Sequence, residues 1–286
     1  MLGGSRFIGR AIVEAALASY DVTVVNRGTH PLWTSEVHQV IGDRDAPLPA
    51  DILDGFDVIV DVSATEARHV RAIAPALELT AAPYVYISSA AVYEGNAPPY
   101  RKTDPHAGGQ AWGHYGTAKS ACERLRRQLV DPARLVVLRP PYVYGPFNTE
   151  PREKFLWARI LAGQPIFVPG DGQTRLQFSY VRDLAAVVLA GAEGRLAPDT
   201  YNVADLETLT IREYVAMLAS VVGVQPLVVP APDAGIRARD YFPFRDAELT
   251  VEVSVLSAAQ VYEPTSFVTG LAETLSWAQS AGQLAY

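Results

Sequence analysis

The chain has 286 residues, 49% apolar and 19% charged, which suits one large globular domain or two small ones and excludes a disordered or collagen-like chain. Its formal net charge of −7 argues against sequence-independent nucleic-acid binding, and a single cysteine, Cys122, excludes an intramolecular disulfide framework.

The chain opens on Gly3-Gly4-Ser5-Arg6-Phe7-Ile8-Gly9, followed by a helical pattern from Ile8 to Ser19. Glycines at 3 and 9 allow a tight turn and a close helix, and the free N–H groups at the helix start can hold a pyrophosphate. Arg6 stands where a middle glycine is expected. A turn of this kind follows a buried strand of about five residues, yet only Met1-Leu2 precede it. A truncated or misassigned start is one reading, and the first, central strand is expected to be absent or stubby.

Asp21–Val25 reads as a buried strand ending at Asn26-Arg27-Gly28. NAD sites place an acid there for the ribose 2′-OH, and NADP sites place a cation for the 2′-phosphate. Arg27 is present, a carboxylate is not, and Arg6 can reach the same phosphate. The expected cofactor is NADP, with NAD the alternative. Ile41-Gly42-Asp43-Arg44-Asp45 closes the next strand, with Asp43 placed to meet an adenine.

Strands are expected over Phe56–Asp61, Pro83–Ile87 and Arg134–Leu138, and helices over Glu66–Leu79 and Tyr115–Leu129. Apolar strands alternating with helices predict an α/β fold, a Rossmann-type doubly wound parallel sheet. After Pro140-Pro141 come a helix over Glu153–Leu161, a strand and turn over Pro165–Gly172, a helix over Asp183–Glu193 and a short strand over Thr200–Val203. A helix over Thr210–Val222 is capped by Thr210. The tail from Pro226 to Asp246 is expected to be irregular. The dinucleotide-binding domain is assigned to 1–145 plus about 177–206, and a smaller α/β C-terminal substrate lobe to 146–176 and 207–286.

The chemistry centres on Tyr115-Gly-Thr-Ala-Lys119. Positions i and i+4 share a helix face, and an ammonium favours phenolate, which makes the phenol a usable acid/base. Only three lysines occur (Lys102, Lys119, Lys154), so with 14 tyrosines a chance Tyr-x-x-x-Lys is expected roughly 0.15 times. Upstream, the strand Tyr84–Ile87 ends in Ser88-Ser89, at the edge where open α/β sheets place their sites.

Taken together with Leu138-Arg-Pro-Pro-Tyr-Val-Tyr-Gly-Pro146, Pro169-Gly-Asp-Gly172, Tyr180-Val-Arg-Asp-Leu-Ala185 and Tyr201-Asn-Val203, these motifs fall in the order of the extended short-chain dehydrogenases/reductases. The chain resembles that family, the NAD(P)-dependent epimerase/dehydratase group, along essentially its whole length. The turn resembles a subgroup reading Gly-Gly-Thr/Ser-Arg-Phe-Ile-Gly, which includes bacterial epimerase-like proteins and plant chloroplast RNA-binding relatives. The resemblance implies that Tyr115 is the general acid/base. It implies that Lys119 holds the nicotinamide ribose and lowers the tyrosine pKa, and that Ser89 polarises the substrate oxygen. It places Gly3, Ser5, Arg6, Phe7, Ile8, Asn26, Arg27, Asp43, Arg44, Ser63, Ala64, Lys119, Pro140 and Val143 at the cofactor.

Departures from the family narrow the reaction. Ala90-Ala91 replace the acidic pair of sugar-nucleotide 4,6-dehydratases, so water elimination has no evident acid/base. Leu176-Gln177 replace an Arg-Asp pair that meets a pyrophosphate, for which Arg239 or Arg245 can substitute. Reduction of a keto group and 4-epimerisation through a transient ketone both remain. The rival class is a non-catalytic dinucleotide-binding scaffold or RNA-binding protein. The expected partner is a small-molecule substrate, with no nucleic acid, and a homodimer through the helices from Glu66 and Tyr115 is the expected assembly. Scattered histidines predict no metal site. No apolar run reaches the ~18 residues of a membrane span and no signal peptide is visible, which predicts a cytoplasmic protein without membrane contact.

Overall fold

The computed structural model describes residues 1–95, 98–231 and 235–284. The strands are β1 (Thr23–Asn26), β2 (His38–Ile41), β3 (Ile59–Asp61), β4 (Tyr84–Ile87), β5 (Leu135–Arg139), β6 (Tyr142–Tyr144), β7 (Ile166–Val168), β8 (Arg175–Tyr180), β9 (Thr200–Asn202), β10 (Thr208–Thr210) and β11 (Val228–Pro230). The helices are α1 (Phe7–Ala16), α2 (Ala67–Arg71), α3 (Ala74–Leu79), α4 (Gly113–Leu129), α5 (Arg152–Leu161), α6 (Val181–Ala192), α7 (Ile211–Val222), α8 (Ser254–Ala259) and α9 (Phe267–Ser280).

β1 pairs in parallel with β2, and β3, β4, β5 and β9 form a second parallel run. The slot between β1 and β3 holds the expected stub. Leu2, fully buried, bridges Val25 on one side and Asp61 on the other. Leu2 N–H donates to Val60 O at 2.8 Å and Gly3 N–H to Val25 O at 2.9 Å, so one residue joins the two halves of the sheet. The order β2-β1-Leu2-β3-β4-β5-β9 is that of a doubly wound sheet, which reverses at the stub. Ligands bind such sheets outside the carboxyl ends of the strands at that reversal. β3, β4 and β5 are buried along their whole length, which explains their unbroken apolar runs.

A second, smaller sheet is formed by β6, β8 and β10. Its aromatic face packs Tyr142, Phe178, Tyr214 and Phe244, with Phe178 stacked on Tyr214 at 4.5 Å. α7 begins where Thr210 accepts from Glu213 N–H and Glu213 accepts from Thr210 N–H, the cap expected from sequence, and ends at Gly223 in the left-handed region.

Two expectations change. The helix expected over 66–79 is broken into α2 and α3, because Pro75 in the first turn of α3 cannot donate to the turn before it. The tail expected to be irregular contains β11, which pairs in parallel with β7; residues 232–234 of that tail lie outside the described residues.

Candidate active site

The glycine turn is built for close approach. Gly3 has φ +82°, and a Cβ there would lie 2.9 Å from the Ser63 Cβ. A Cβ on Gly9 would lie 2.8 Å from the Gly4 Cα, so α1 can meet the turn only without one. No side chain caps the start of α1 and its first turn carries no acid, which leaves its N–H groups to an anion. In front of the turn lies a cavity of about 510 Å³. Gly3, Ser5, Arg6, Asn26, Arg27, Asp43, Arg44 and Ser63 all line it, so eight of the residues placed at the cofactor from sequence converge there. Phe7 lines an adjoining cleft with Ser5 and Arg6. These glycines and open N–H groups fit the pyrophosphate of a dinucleotide.

Arg44 is a wall of this cavity but not a free cation, contrary to its reading as a ligand. Its Nε donates to His69 O, Nη1 to Asp61 Oδ1 and Ser63 Oγ, and Nη2 to Asp61 Oδ2 and His69 O. All five of its donors are engaged. Asp61 is fully buried and also accepts from Tyr84 and Arg126. Burial alone would raise its carboxyl; the two guanidiniums outweigh that and hold it well below the carboxylate range. Asp43 accepts from Asp45 N–H and thereby shapes its own turn.

The catalytic candidates meet where β4 ends. Ser89 starts the short turn after β4 and accepts from Ala91 N–H at 3.2 Å. Tyr115, in the first turn of α4, is 48% exposed, and its phenol interacts with the Ser89 side chain. Gly116 makes this approach possible, since a Cβ there would lie 2.4 Å from Ala91 O. Lys119 is buried one turn on and donates to Ala64 O at 3.0 Å and Ile87 O at 2.7 Å. Ala64 thus serves the site through its carbonyl. Pro140 O accepts from Ala90 N–H and Val143 O accepts from Arg152, and both residues are buried.

Burial raises the Tyr115 phenol above its ordinary value, opposed by the Ser89 side chain and by the charge of Arg152. Burial likewise lowers the Lys119 ammonium, to about 8. Arg152, at the start of α5, was not identified from sequence. Its guanidinium lies 5.0 Å from the Tyr142 ring and 5.7 Å from the Phe244 ring, and its Nε is buried without a partner among the described residues. Arg245 lies 5.9 Å from the Trp112 ring. No motif flags Arg152, because its partners come from β6 and the distant segment around residue 244. Cys122 is fully buried, as a packing residue should be.

A glycine turn at the sheet reversal, with a serine, tyrosine and lysine at the neighbouring strand end, defines a nicotinamide-dinucleotide enzyme. The family model of the NAD dependent epimerase/dehydratase family matches residues 1–204, and the chain belongs to that family. It is an NAD(P)-dependent enzyme of the extended short-chain dehydrogenase/reductase type. Over 300 residues it is 27% identical to the chloroplast stem-loop binding protein of 41 kDa b of Arabidopsis thaliana, covering 96% of this chain and 77% of that one. It is 26% identical to the ceramide reductase of Caulobacter vibrioides, covering 99% and 94%. Among solved structures it resembles UDP-glucuronic acid 4-epimerase from Bacillus cereus in complex with NAD, with TM-score 0.79 and 18% identity over 99% and 97% of the two chains.

Proposed function

We propose that this chain is an NADP-dependent oxidoreductase acting on a carbinol or keto carbon of a small anionic molecule, a sugar nucleotide or a related keto metabolite. The observation that carries the reading is the placement of Ser89 at the end of β4 beside Tyr115, which lies one helical turn from Lys119. The bound nicotinamide supplies the hydride chemistry. Ser89 orients the substrate oxygen, and Tyr115 gives or takes the proton on it. Lys119 keeps one N–H beyond its two carbonyl bonds, with which it holds the nicotinamide ribose. Arg152 and Arg245, from the substrate lobe, meet the negative charge of the substrate. The preference for NADP rests on Arg6 and Arg27, both exposed at the cavity that Arg44 cannot serve.

Reduction is favoured over 4-epimerisation, because an epimerase regenerates its cofactor and needs no reducing pool. The net charge of −7 disfavours the RNA-binding alternative. The test is a titration of the purified protein with NADPH and then NADH, followed by nicotinamide fluorescence. Tighter NADPH binding supports the reductase reading and justifies a screen of keto substrates. Tighter NADH binding, or cofactor that copurifies, favours the epimerase. Binding of neither overturns the enzyme reading.

A further inference from the structure

The loop after β1 holds a side chain that the cofactor reading does not include. Arg6 Nη1 lies 3.2 Å from His30 Nε2, and both residues line the 510 Å³ cavity together with Arg27. Arginine only donates, so His30 Nε2 is the acceptor in this contact. We propose that His30 is the third arm of a cradle for the 2′-phosphate of NADP, beside Arg6 and Arg27. The proposal rests on the NADP reading above and adds a residue to it.

Three observations carry it. First, the loop is anchored at both ends. Asn26 Oδ1 accepts from Gly28 N–H and from Gln39 Nε2, each at 2.8 Å, and Asn26 Nδ2 donates to Ser5 Oγ at 3.0 Å. This ties the start of the loop to the glycine turn. At the other end Trp33 lies 4.6 Å from the Arg10 guanidinium, which also covers the Phe147 ring at 3.5 Å. His30 stands between these anchors.

Second, three neighbouring carboxylates are already paired with other cations. Glu14 is paired with Arg10, Asp45 with Arg68 and His69, and Asp61 with Arg44 and Arg126. Among the described residues no carboxylate pairs with Arg6, Arg27 or His30; Asp43, which lines the same cavity, accepts from Asp45 N–H and from no cation.

Third, the chemistry of the contact matches a phosphate monoester. Such a group presents three acceptor oxygens and about two negative charges. Arg6 and Arg27 offer N–H groups to two of the oxygens. When Arg6 turns from His30 to the phosphate, the freed Nε2 can donate to the third. The same nitrogen accepts from Arg6 in one state and donates to phosphate in the other. A 2′-hydroxyl offers no charge to draw Arg6 away, so NADH gains little from His30.

The experiment measures affinities for NADPH, NADH, adenosine 2′-monophosphate and adenosine 5′-monophosphate in wild type, His30→Ala, His30→Gln and Arg27→Gln. His30→Ala is expected to weaken NADPH and adenosine 2′-monophosphate about five- to tenfold, leaving NADH and adenosine 5′-monophosphate within about twofold. His30→Gln, which keeps a donor, is expected to recover part of the loss. If His30→Ala keeps the wild-type NADPH/NADH ratio while Arg27→Gln lowers it, the NADP reading stands and the role of His30 is overturned. If His30→Ala weakens both dinucleotides equally, His30 only supports the loop, and the proposal is overturned. A wild-type preference for NADH overturns both readings together.

Discussion

Glu123 and Arg139 are joined by two hydrogen bonds, of 2.9 and 2.6 Å, in the interior between α4 and β5. The pair lies directly behind the site. Glu123 is one turn beyond Lys119 and also accepts from Ser88, the neighbour of Ser89, at 2.5 Å. Arg139 precedes Pro140 and lies 4.9 Å from the Tyr93 ring. A buried pair with one partner removed leaves an uncompensated charge, which costs about 3–5 kcal/mol. Glu123→Ala is expected to lose about that much in urea denaturation. Replacing both partners, Glu123→Leu with Arg139→Leu, is expected to recover much of it. A double variant no more stable than Glu123→Ala would contradict this account.

Acid should reach the same pair. Burial would raise the Glu123 carboxyl, but the hydrogen bonds from Arg139 and their charge outweigh it, so its folded value lies below the unfolded one. Stability from this group is therefore present above the unfolded carboxyl value and is lost as pH falls through the folded one. The stability gap between wild type and Glu123→Ala is expected to be constant near neutrality and to shrink below about pH 4. Denaturation curves at pH 7, 5 and 3.5 check the sign; a gap that widens with acid contradicts it.

Tyr115→Phe removes the proton that the proposed reaction moves, and Tyr115 does not line the cofactor cavity. Turnover of any keto substrate found by screening is expected to fall by about two to four orders of magnitude, while NADPH affinity stays within about twofold. Because burial places the Tyr115 phenol above its ordinary value, the protonated form dominates at neutral pH. The reductive direction, which consumes that proton, is expected to hold its rate to higher pH than the oxidative direction. Rate profiles in both directions test this ordering.

Gly116 sets how closely α4 meets the turn after β4. A methyl group at this position would lie 2.4 Å from Ala91 O, a backbone atom that cannot swing aside. Gly116→Ala is expected to destabilise the fold by about 1–3 kcal/mol and to lower turnover by separating Tyr115 from Ser89. The distant dinucleotide cavity should keep its NADPH affinity. Equal loss of binding and turnover would show a global rather than a local effect.

The parts of this protein legible in sequence are those governed by short spacings. The Tyr115-x-x-x-Lys119 step and the strand ending at Ser89 read directly as a site, because a helix period and a strand end fix them locally. What could not be read depends on where charges find partners. Arg44 and Arg27 look alike in sequence, yet Asp61 engages one and leaves the other exposed. Lys119 donates to Ala64 O and Ile87 O, and Arg152, far along the chain, adds its charge to those acting on Tyr115. Long-range pairing of this kind leaves no periodic trace.

Lys119 carries a charge that the fold disfavours. Burial lowers its ammonium from 10.5 to about 8. Between those values the unfolded chain holds a proton that the folded protein has released, so stability from this site rises with pH across that window. Below about pH 8 the folded protein holds the buried charge and bears the full penalty. Lys119→Met removes the charge but also the hydrogen bonds to Ala64 O and Ile87 O. The second loss does not depend on pH, so the slope, not the offset, carries the information. Relative to wild type, Lys119→Met is expected to be most stable at pH 7.5 and to lose that advantage steadily towards pH 10. Urea denaturation of both proteins at pH 7.5, 8.5, 9.5 and 10 measures the difference. A difference that does not change over this range would mean that the fold carries the Lys119 ammonium without penalty.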